Sequence, residues 1–429
     1  MTGKSRENRP GIACELARIG VAILMLALVA TAQATIASAA TPTATRKATP
    51  TPTRKPTATP TRKPTPTPTP SPLALWLENA HSENVLEFKG AILTKPGASV
   101  PSPNLANKSP DFRAPLGGDT AGITFDGSNN QWVTDCVGSA SNHGNITEFK
   151  LSTLKKLTTN NAPRADVLIT DNGTGKLVNC PWGMTFNSGN LWAANSDQNT
   201  NPPVPGFVTE YQPNQLIVSG RPTPHVTLTD STQFISPTGV VFDSSRNLFV
   251  ADFGPEQFGK FGAGKILVFR AATVASLTPG TNNRTANARL SDPTTLTPVN
   301  GAFDRSGNLW VPDCEANGTG ELYMFPKSVL TLGASSARTI FQSSFITTPN
   351  GTEDTINCPG GIAFDAQGNL WYTNFQSLNS HISGSVGEFT RSQLSLIGKT
   401  KPKPNIFFDG NTTATNFDGP IGLIFGPVI

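Results

Sequence analysis

Residues 359–374 read PGGIAFDAQGNLWYTN. An apolar run ends at Phe364, and Asp365-Ala366-Gln367-Gly368-Asn369 follows before Leu370-Trp371-Tyr372 resumes the apolar pattern. Residues that tolerate tight turns lie between two runs of strand formers, which is the wording of a β-hairpin. The same wording recurs along the chain. AGITFDGSNNQWVTDC starts at Ala121, PWGMTFNSGNLWAANS at Pro181 and PTGVVFDSSRNLFVADF at Pro237. VNGAFDRSGNLWVPDC starts at Val299 and is one residue shorter before its Phe. The anchoring aromatics Phe125, Phe186, Phe242, Phe303, Phe364 and Phe425 stand 61, 56, 61, 61 and 61 residues apart. A third strand follows each complete hairpin, as in Ile146–Phe149, Val208–Tyr211, Ile266–Phe269, Leu322–Phe325 and Val386–Phe389. A weaker fourth fits Ala165–Thr170, His225–Thr229 and Asn405–Phe408.

Four strands per repeat make a propeller blade. The chain ends set the number of blades. Leu75–Asn79 matches a second strand and Val85–Phe88 a third, with no first strand before them, while Pro420–Phe425 is a first strand with nothing after it. Together they form one blade from both termini. The expected fold is therefore all-β, a six-bladed β-propeller of four-stranded antiparallel blades closed by N- and C-terminal strands that share a blade.

The repeats begin at residue 73. Before them lie an expected secretory signal peptide over residues 1–40 and a Thr/Pro/Arg/Lys-rich linker over residues 41–72. Basic residues, the apolar run Ile19–Ala30 and the small residues Ala37-Ser38-Ala39 follow in the order of an export signal. The linker carries an Arg-Lys pair every eight residues and its prolines favour an extended, solvated spacer. The formal charge of +4 divides unevenly. Up to Pro72 there are 10 basic and 2 acidic residues (+8), and the rest holds 23 basic and 27 acidic (−4). The folded part thus lacks the basic excess of a nucleic-acid-binding domain, and the linker is either a stalk kept soluble by its charge or a contact for an anionic envelope surface.

The Pro-x-Gly-Ile-Ala-Phe-Asp-x-x-Gly-Asn-Leu-Trp wording resembles NHL-repeat propellers, and is similar to the repeats of virginiamycin B lyase and of gluconolactonase-type lactonases. The resemblance spans nearly all of residues 74–429. It implies the fold; the families differ in chemistry.

Of five cysteines, Cys136 and Cys314 follow second strands, and Cys180 and Cys358 precede first strands. Both separations are 44 residues, and the two pairs are offset by three blades. In a propeller these strand ends share one face near the axis. Disulfides Cys136–Cys180 and Cys314–Cys358 are expected, placing the chain outside the cell or at its envelope. A zinc site of four cysteines is the alternative, but pairs half a ring apart would not converge.

Positions alike in every blade serve the framework. Trp76, Trp132, Trp192, Phe249, Trp310 and Trp371 read as interblade core. Asn79, Asp135, Asn195, Asp252, Asp313 and Asn374 close the second strands and bond backbone amides of their own turns, or form a calcium-holding ring. The residue before the first-strand glycine differs in every blade: Ala121, Trp182, Thr238, Asn300, Gly360 and Ile421. This position opens onto the central funnel. The lactonase resemblance implies a divalent metal there, held by an Asn before Gly, an Asp before Gly and a Glu. Asn300 matches the first, no blade supplies the second, and Glu78 is the nearest candidate for the third. His81, His143 and His381 fall between second and third strands of neighbouring blades, as weak metal candidates.

The expected function is an exported, monomeric, non-catalytic binding or scaffold module without cofactor. It takes a protein or glycan through the disulfide-bearing face, with Trp182, Asn300, Asp313, Phe253, Phe258 and Phe261 as ligand-binding candidates. The alternative is a metal-dependent lactonase-like hydrolase or lyase with its site in the funnel.

Overall fold

A computed structural model of the chain describes residues 73–80, 84–89, 93, 119–136, 144–156, 164–171, 173–196, 205–254, 264–291, 296–314, 320–332, 339–348, 351–375, 384–409, 417 and 419–429. The expected signal peptide and linker lie outside the described residues, as do His81, His143, His381, Phe258 and Phe261.

Six antiparallel sheets follow one another around the ring. Blade 1 uses Asp119–Phe125, Gln131–Cys136, Asn145–Phe149 and Val167–Thr170. Blade 2 uses Pro181–Asn187, Asn190–Asn195, Phe207–Tyr211 and Val226–Thr229. Blade 3 uses Pro237–Phe242, Leu248–Asp252, Lys265–Phe269 and Ala288–Leu290. In blade 4 the strands are Ala302–Phe303, Leu309–Cys314, Gly320–Phe325 and Thr339–Gln342. Blade 5 is built from Pro359–Phe364, Leu370–Asn374, Ser385–Phe389 and Ile406–Asp409. Blade 6 joins the C-terminal Pro420–Pro427 to the N-terminal Leu73–Asn79 and then Asn84–Phe88. The six-bladed all-β fold and the shared closing blade are thus as the repeats imply. No helix among the described residues is long and apolar enough to cross a membrane.

The hairpin wording has a hydrogen-bond explanation. One carboxylate oxygen of Asp126, Asp243, Asp304 and Asp365 accepts the amide two residues on and the amide of the motif Asn, at 2.8–2.9 Å. The second oxygen accepts the Asn side-chain amide, and also the indole N–H of Trp132 (3.5 Å), Trp310 (3.1 Å) and Trp371 (3.2 Å) in blades 1, 4 and 5. The carbonyl oxygens of Asn130, Asn247, Asn308 and Asn369 accept the amides of Leu151, Ala271, Lys327 and Arg391, just past the third strands. Each motif therefore ties three strands together at one end of the blade.

The second-strand aromatic packs against the first-strand Phe of the next blade at every one of the six joints. Trp76–Phe125, Trp132–Phe186, Trp192–Phe242 and Phe249–Phe303 have ring centroids 5.5, 5.8, 5.4 and 5.2 Å apart. Trp310–Phe364 and Trp371–Phe425 follow at 6.4 and 6.2 Å, all six pairs edge-on.

Two blades gain a fifth strand that the repeat pattern does not announce. Gly280–Asn283 leaves blade 3 and pairs in parallel with Val226–Thr229 of blade 2, and Gly398–Thr400 leaves blade 5 for Thr339–Gln342 of blade 4. These polar segments lack strand alternation, yet they supply hydrogen bonds to otherwise open outer edges. Gly220 of blade 2 does the same for Ile169 of blade 1 through a single bridge.

A Glu stands directly across from the tryptophan in four blades: Trp76–Glu87, Trp132–Glu148, Trp192–Glu210 and Trp371–Glu388. Burial pushes the Glu148 carboxyl up from 4.5 to about 7; Lys150 opposes the shift, Asp126 and Asp166 add to it, and Asn130 opposes it. The folded chain then holds a proton that the unfolded chain releases, so this group's stabilisation is full below pH 4.5 and lost as pH rises through about 7. Thermal melts from pH 4.5 to 8 should therefore show a smaller loss of stability with rising pH in Glu148→Gln than in the unmodified chain. An unchanged slope would contradict the assignment.

Candidate functional site: the axis at the disulfide-bearing end

Both disulfides form, Cys136–Cys180 between blades 1 and 2 and Cys314–Cys358 between blades 4 and 5. Cys180 and Cys358 have φ of 43° and 44°, a conformation that a residue with a Cβ rarely adopts. Each is held by its bridge and by its carbonyl, which accepts the amide of Ser196 or of Phe375 from the end of the second strand.

The Asx residues closing the second strands act differently from expectation. Asn195 and Asn374 accept the amides of Asn179 and Asn357 at 3.0 Å, in the segment approaching the first strand of their own blade. Asp252 accepts Ile235 and Ser236 in that segment, together with Gly254 of its own turn. Asp313, wholly buried, accepts the amide and hydroxyl of Thr297. The partner is thus mainly the approach segment, some sixteen residues upstream, rather than the local turn. Asp313 is a tie between strand ends and is withdrawn as a ligand-binding candidate.

The funnel position needs one correction. Pro237 pairs with Asp252 and Gly239 with Ala251 in blade 3; in blade 4 the bridge is Pro298 to Asp313, and Ala302 pairs with Trp310 as Val241 pairs with Phe249. Counting from Pro to Phe, Val299 is the counterpart of Trp182, Thr238 and Ile421, and Asn300 falls in the column of Gly122, Gly183, Gly239, Gly361 and Gly422. Interblade contacts agree. A Cβ on Gly122 would overlap the Trp182 carbonyl oxygen; on Gly183 it would stand 2.8 Å from that of Thr238, on Gly239 3.0 Å from that of Val299, and on Gly361 2.5 Å from that of Ile421. Gly301 mimics the framework glycine one position late, but the strand register follows Pro298 and Phe303. The match of Asn300 to a metal-binding Asn before Gly lapses in that register.

Asn300 nevertheless lies at the axis. Its Oδ1 would be 2.8 Å from a Cβ on Gly239 and 3.6 Å from one on Gly183, so the carboxamide reaches the inner strands of two other blades. Oδ1 accepts the Gly301 amide at 2.9 Å, which fixes the side chain. Behind it, a small cavity is lined by Gly239, Val241, Phe249, Ala251, Ile266 and Leu309. Above it, at the disulfide-bearing end, Ala80, Val299, Cys314, Phe375 and Ile421 form an apolar cluster with half-buried Trp182, Phe253 and Cys358 against it. The indole N–H of Trp182 meets Cys180 Sγ at 3.2 Å. Phe253, a ligand-binding candidate, is half-buried in this cluster.

A divalent ion does not fit the described ring. The residues before the glycine column, expected to face the funnel, are Ala121, Trp182, Thr238, Val299, Gly360 and Ile421; none is a carboxylate, and the Thr238 hydroxyl donates to the Pro298 carbonyl at 3.0 Å. Hard divalent cations take several oxygen ligands, carboxylates foremost. Among the described residues no group of three His, Cys, Asp or Glu is placed to hold a metal.

No protein-family model and no curated protein matches the chain. Solved structures similar to it include the PQQ-bound aldose sugar dehydrogenase of Streptomyces coelicolor, at 13% identity, covering 70% of this chain and 87% of that one with a TM-score of 0.38. A gluconolactonase of Xanthomonas campestris is 14% identical, covering 71% and 84%, with a TM-score of 0.35. A protein of Lactobacillus plantarum is 9% identical, covering 82% and 99%, with a TM-score of 0.40. No residue role is drawn from such distant likenesses. Two of these proteins are enzymes, which runs against the expected non-catalytic binding or scaffold module; likenesses this distant show the fold alone, and catalysis is a matter for proposal.

The glycine column yields a stability test. Gly122→Ala should cost about 1–3 kcal/mol through overlap with the next blade, whereas Gly127→Ala, with open space around its Cβ position, should change stability by about 0.5 kcal/mol or less. Chemical denaturation of the two variants checks this; equal effects would remove the close approach as the reason for the glycines.

Proposed function

We propose that the chain is a catalytic propeller, a hydrolase or lyase of lactone-like small molecules, with its site at the axis on the disulfide-bearing end. The observation that carries the reading is Asn300. Five blades place glycine in its column, and the sixth places a carboxamide at the axis. With Oδ1 held by the Gly301 amide, Nδ2 carries the two donors left to face a substrate. A fixed amide donor aimed at a carbonyl oxygen stabilises the charge that develops when that carbonyl is attacked or enolised. Trp182 and Phe253 supply apolar walls beside it, and the apolar surroundings strengthen that hydrogen bond. No step is routed through a metal ion, because the described ring does not fit one.

Two disulfides suit an oxidising compartment. Taken with the basic, apolar and small-residue order of the N-terminus, they support export, with residues 41–72 as a spacer before the propeller.

The test is turnover of a panel of sugar, alkyl and aryl lactones by the purified full chain, with and without a chelator. Turnover insensitive to chelation is expected. Asn300→Gly, which restores the glycine column, should lower kcat about 10²–10³-fold with no loss of thermal stability. Absence of turnover across the panel, or unchanged kcat in Asn300→Gly, would sink the proposal.

A further inference from the structure

Glu78 is the least expected residue of the fold. It lies on the second strand of blade 6, between Gly422 and Val85 of the neighbouring strands, and is wholly buried. Its Oε2 covers the Gly422 Cβ position, and the Ile123 methyl group from blade 1 lies over the same spot. Among the described residues no hydrogen bond reaches either carboxyl oxygen, and the hydroxyl of Thr120 donates instead to the Asn79 carbonyl at 3.0 Å. Desolvation strongly disfavours a bare carboxylate in such a place.

The repeats show what this position does. The residue before the closing Asx is Thr134 in blade 1 and Thr373 in blade 5. The Thr134 hydroxyl donates to the Trp182 carbonyl of blade 2 at 2.7 Å, and the Thr373 hydroxyl to the Ile421 carbonyl of blade 6 at 3.3 Å. In these two blades it is a clamp position, from which a hydroxyl reaches the funnel-ring carbonyl of the next blade, whereas Ala194, Ala251 and Pro312 bring no hydroxyl there in blades 2, 3 and 4. In blade 6 the next blade is blade 1, the ring carbonyl is that of Ala121, and the clamp residue is Glu78. A carboxylate has no proton to donate there, whereas a carboxylic acid has one.

We propose that Glu78 is held as a neutral carboxylic acid and clamps blade 6 to blade 1 by donating its proton to the inner strand of blade 1, making the seam where the two chain ends close the ring sensitive to alkaline pH. The groups around it agree. Val85, Gly422 and Ile123 are apolar or bare, Thr120 is neutral, and the titratable neighbour is Asp135 on the second strand of blade 1, whose negative charge favours the acid form. Burial raises the Glu78 carboxyl well above the usual range, against the Thr120 hydroxyl and with Asp135 adding to the shift. A raised value means that the clamp is fully present at low pH and is lost as pH rises through the folded-state value. The clamp does not depend on the proposed catalysis.

The experiment compares the full chain with Glu78→Gln, a neutral donor of the same shape, from pH 5 to pH 9. Infrared difference spectra at pH 7 should contain a protonated-carboxyl band that Glu78→Gln lacks. Hydrogen-exchange protection factors over Leu73–Asn79 and Pro420–Pro427 should fall between pH 6 and pH 9 at least tenfold more in the unmodified chain than in the variant, which keeps only the fall due to Glu148. If Glu78→Gln does not fold, Glu78→Thr, which places the clamp residue of blades 1 and 5 in blade 6, replaces it in both measurements. A missing infrared band, or seam protection that falls equally in the unmodified chain and the variant, would overturn the proposal.

Discussion

The edge-on contact between a second-strand aromatic and the first-strand phenylalanine of the next blade recurs at all six joints, and the rest of the molecule is arranged around it. A four-stranded blade buries its faces only against other blades, so each sheet depends on the neighbour that covers it. Aromatic pairs of this geometry add about 0.5–1.5 kcal/mol each beyond the area they bury. They also set how far apart the blades stand, because a tryptophan on one side requires a phenylalanine on the other. The Asp and Asn of the hairpin motif hold that tryptophan by its strand and, in blades 1, 4 and 5, by its indole N–H. Trp192 has Asn187 in place of the Asp, and its indole N–H has no hydrogen-bond partner.

With the aromatic joints setting the spacing, the inner strands meet closely near the axis. There the glycine column lets backbone approach backbone, and most of it is closed to side chains by the carbonyl of the adjoining blade. Two departures from that column concentrate polarity in an apolar centre. Asn300 replaces a glycine outright, and Glu78 lies over one. Catalysis is proposed from the first and ring closure from the second, and both follow from breaking a pattern that the other blades keep.

How much of this could be read from residues 359–374 and their copies depends on the kind of contact involved. The hairpins, the third strands and the closing blade follow from local alternation and turn chemistry, which are properties of adjacent residues. The disulfides were also legible, because a separation of 44 residues repeated at a three-blade offset needs only the blade period to interpret it. Asn300 was found but misassigned, since Gly301 mimics the framework glycine and only pairing with the second strand shows which residue is in register. Asp313 has the wording of a ligand-binding acid, but Thr297, sixteen residues upstream, engages its Oδ1. The fifth strands over Gly280–Asn283 and Gly398–Thr400 carry no alternation to announce them.

The sequence by itself determined the all-β class, the number of blades, the way the ends share one blade and which cysteines join. Each of these is periodic, and a period survives without knowledge of what stands beside it. Only the tertiary structure decided that Asn300 lies in the glycine column, that Phe253 is half-buried, and that Glu78 is enclosed at the seam with no donor to either oxygen among the described residues. Those outcomes depend on the carbonyl or side chain that the next blade brings to the same point. That neighbour is usually about sixty residues away, and at the seam it comes from the opposite end of the chain.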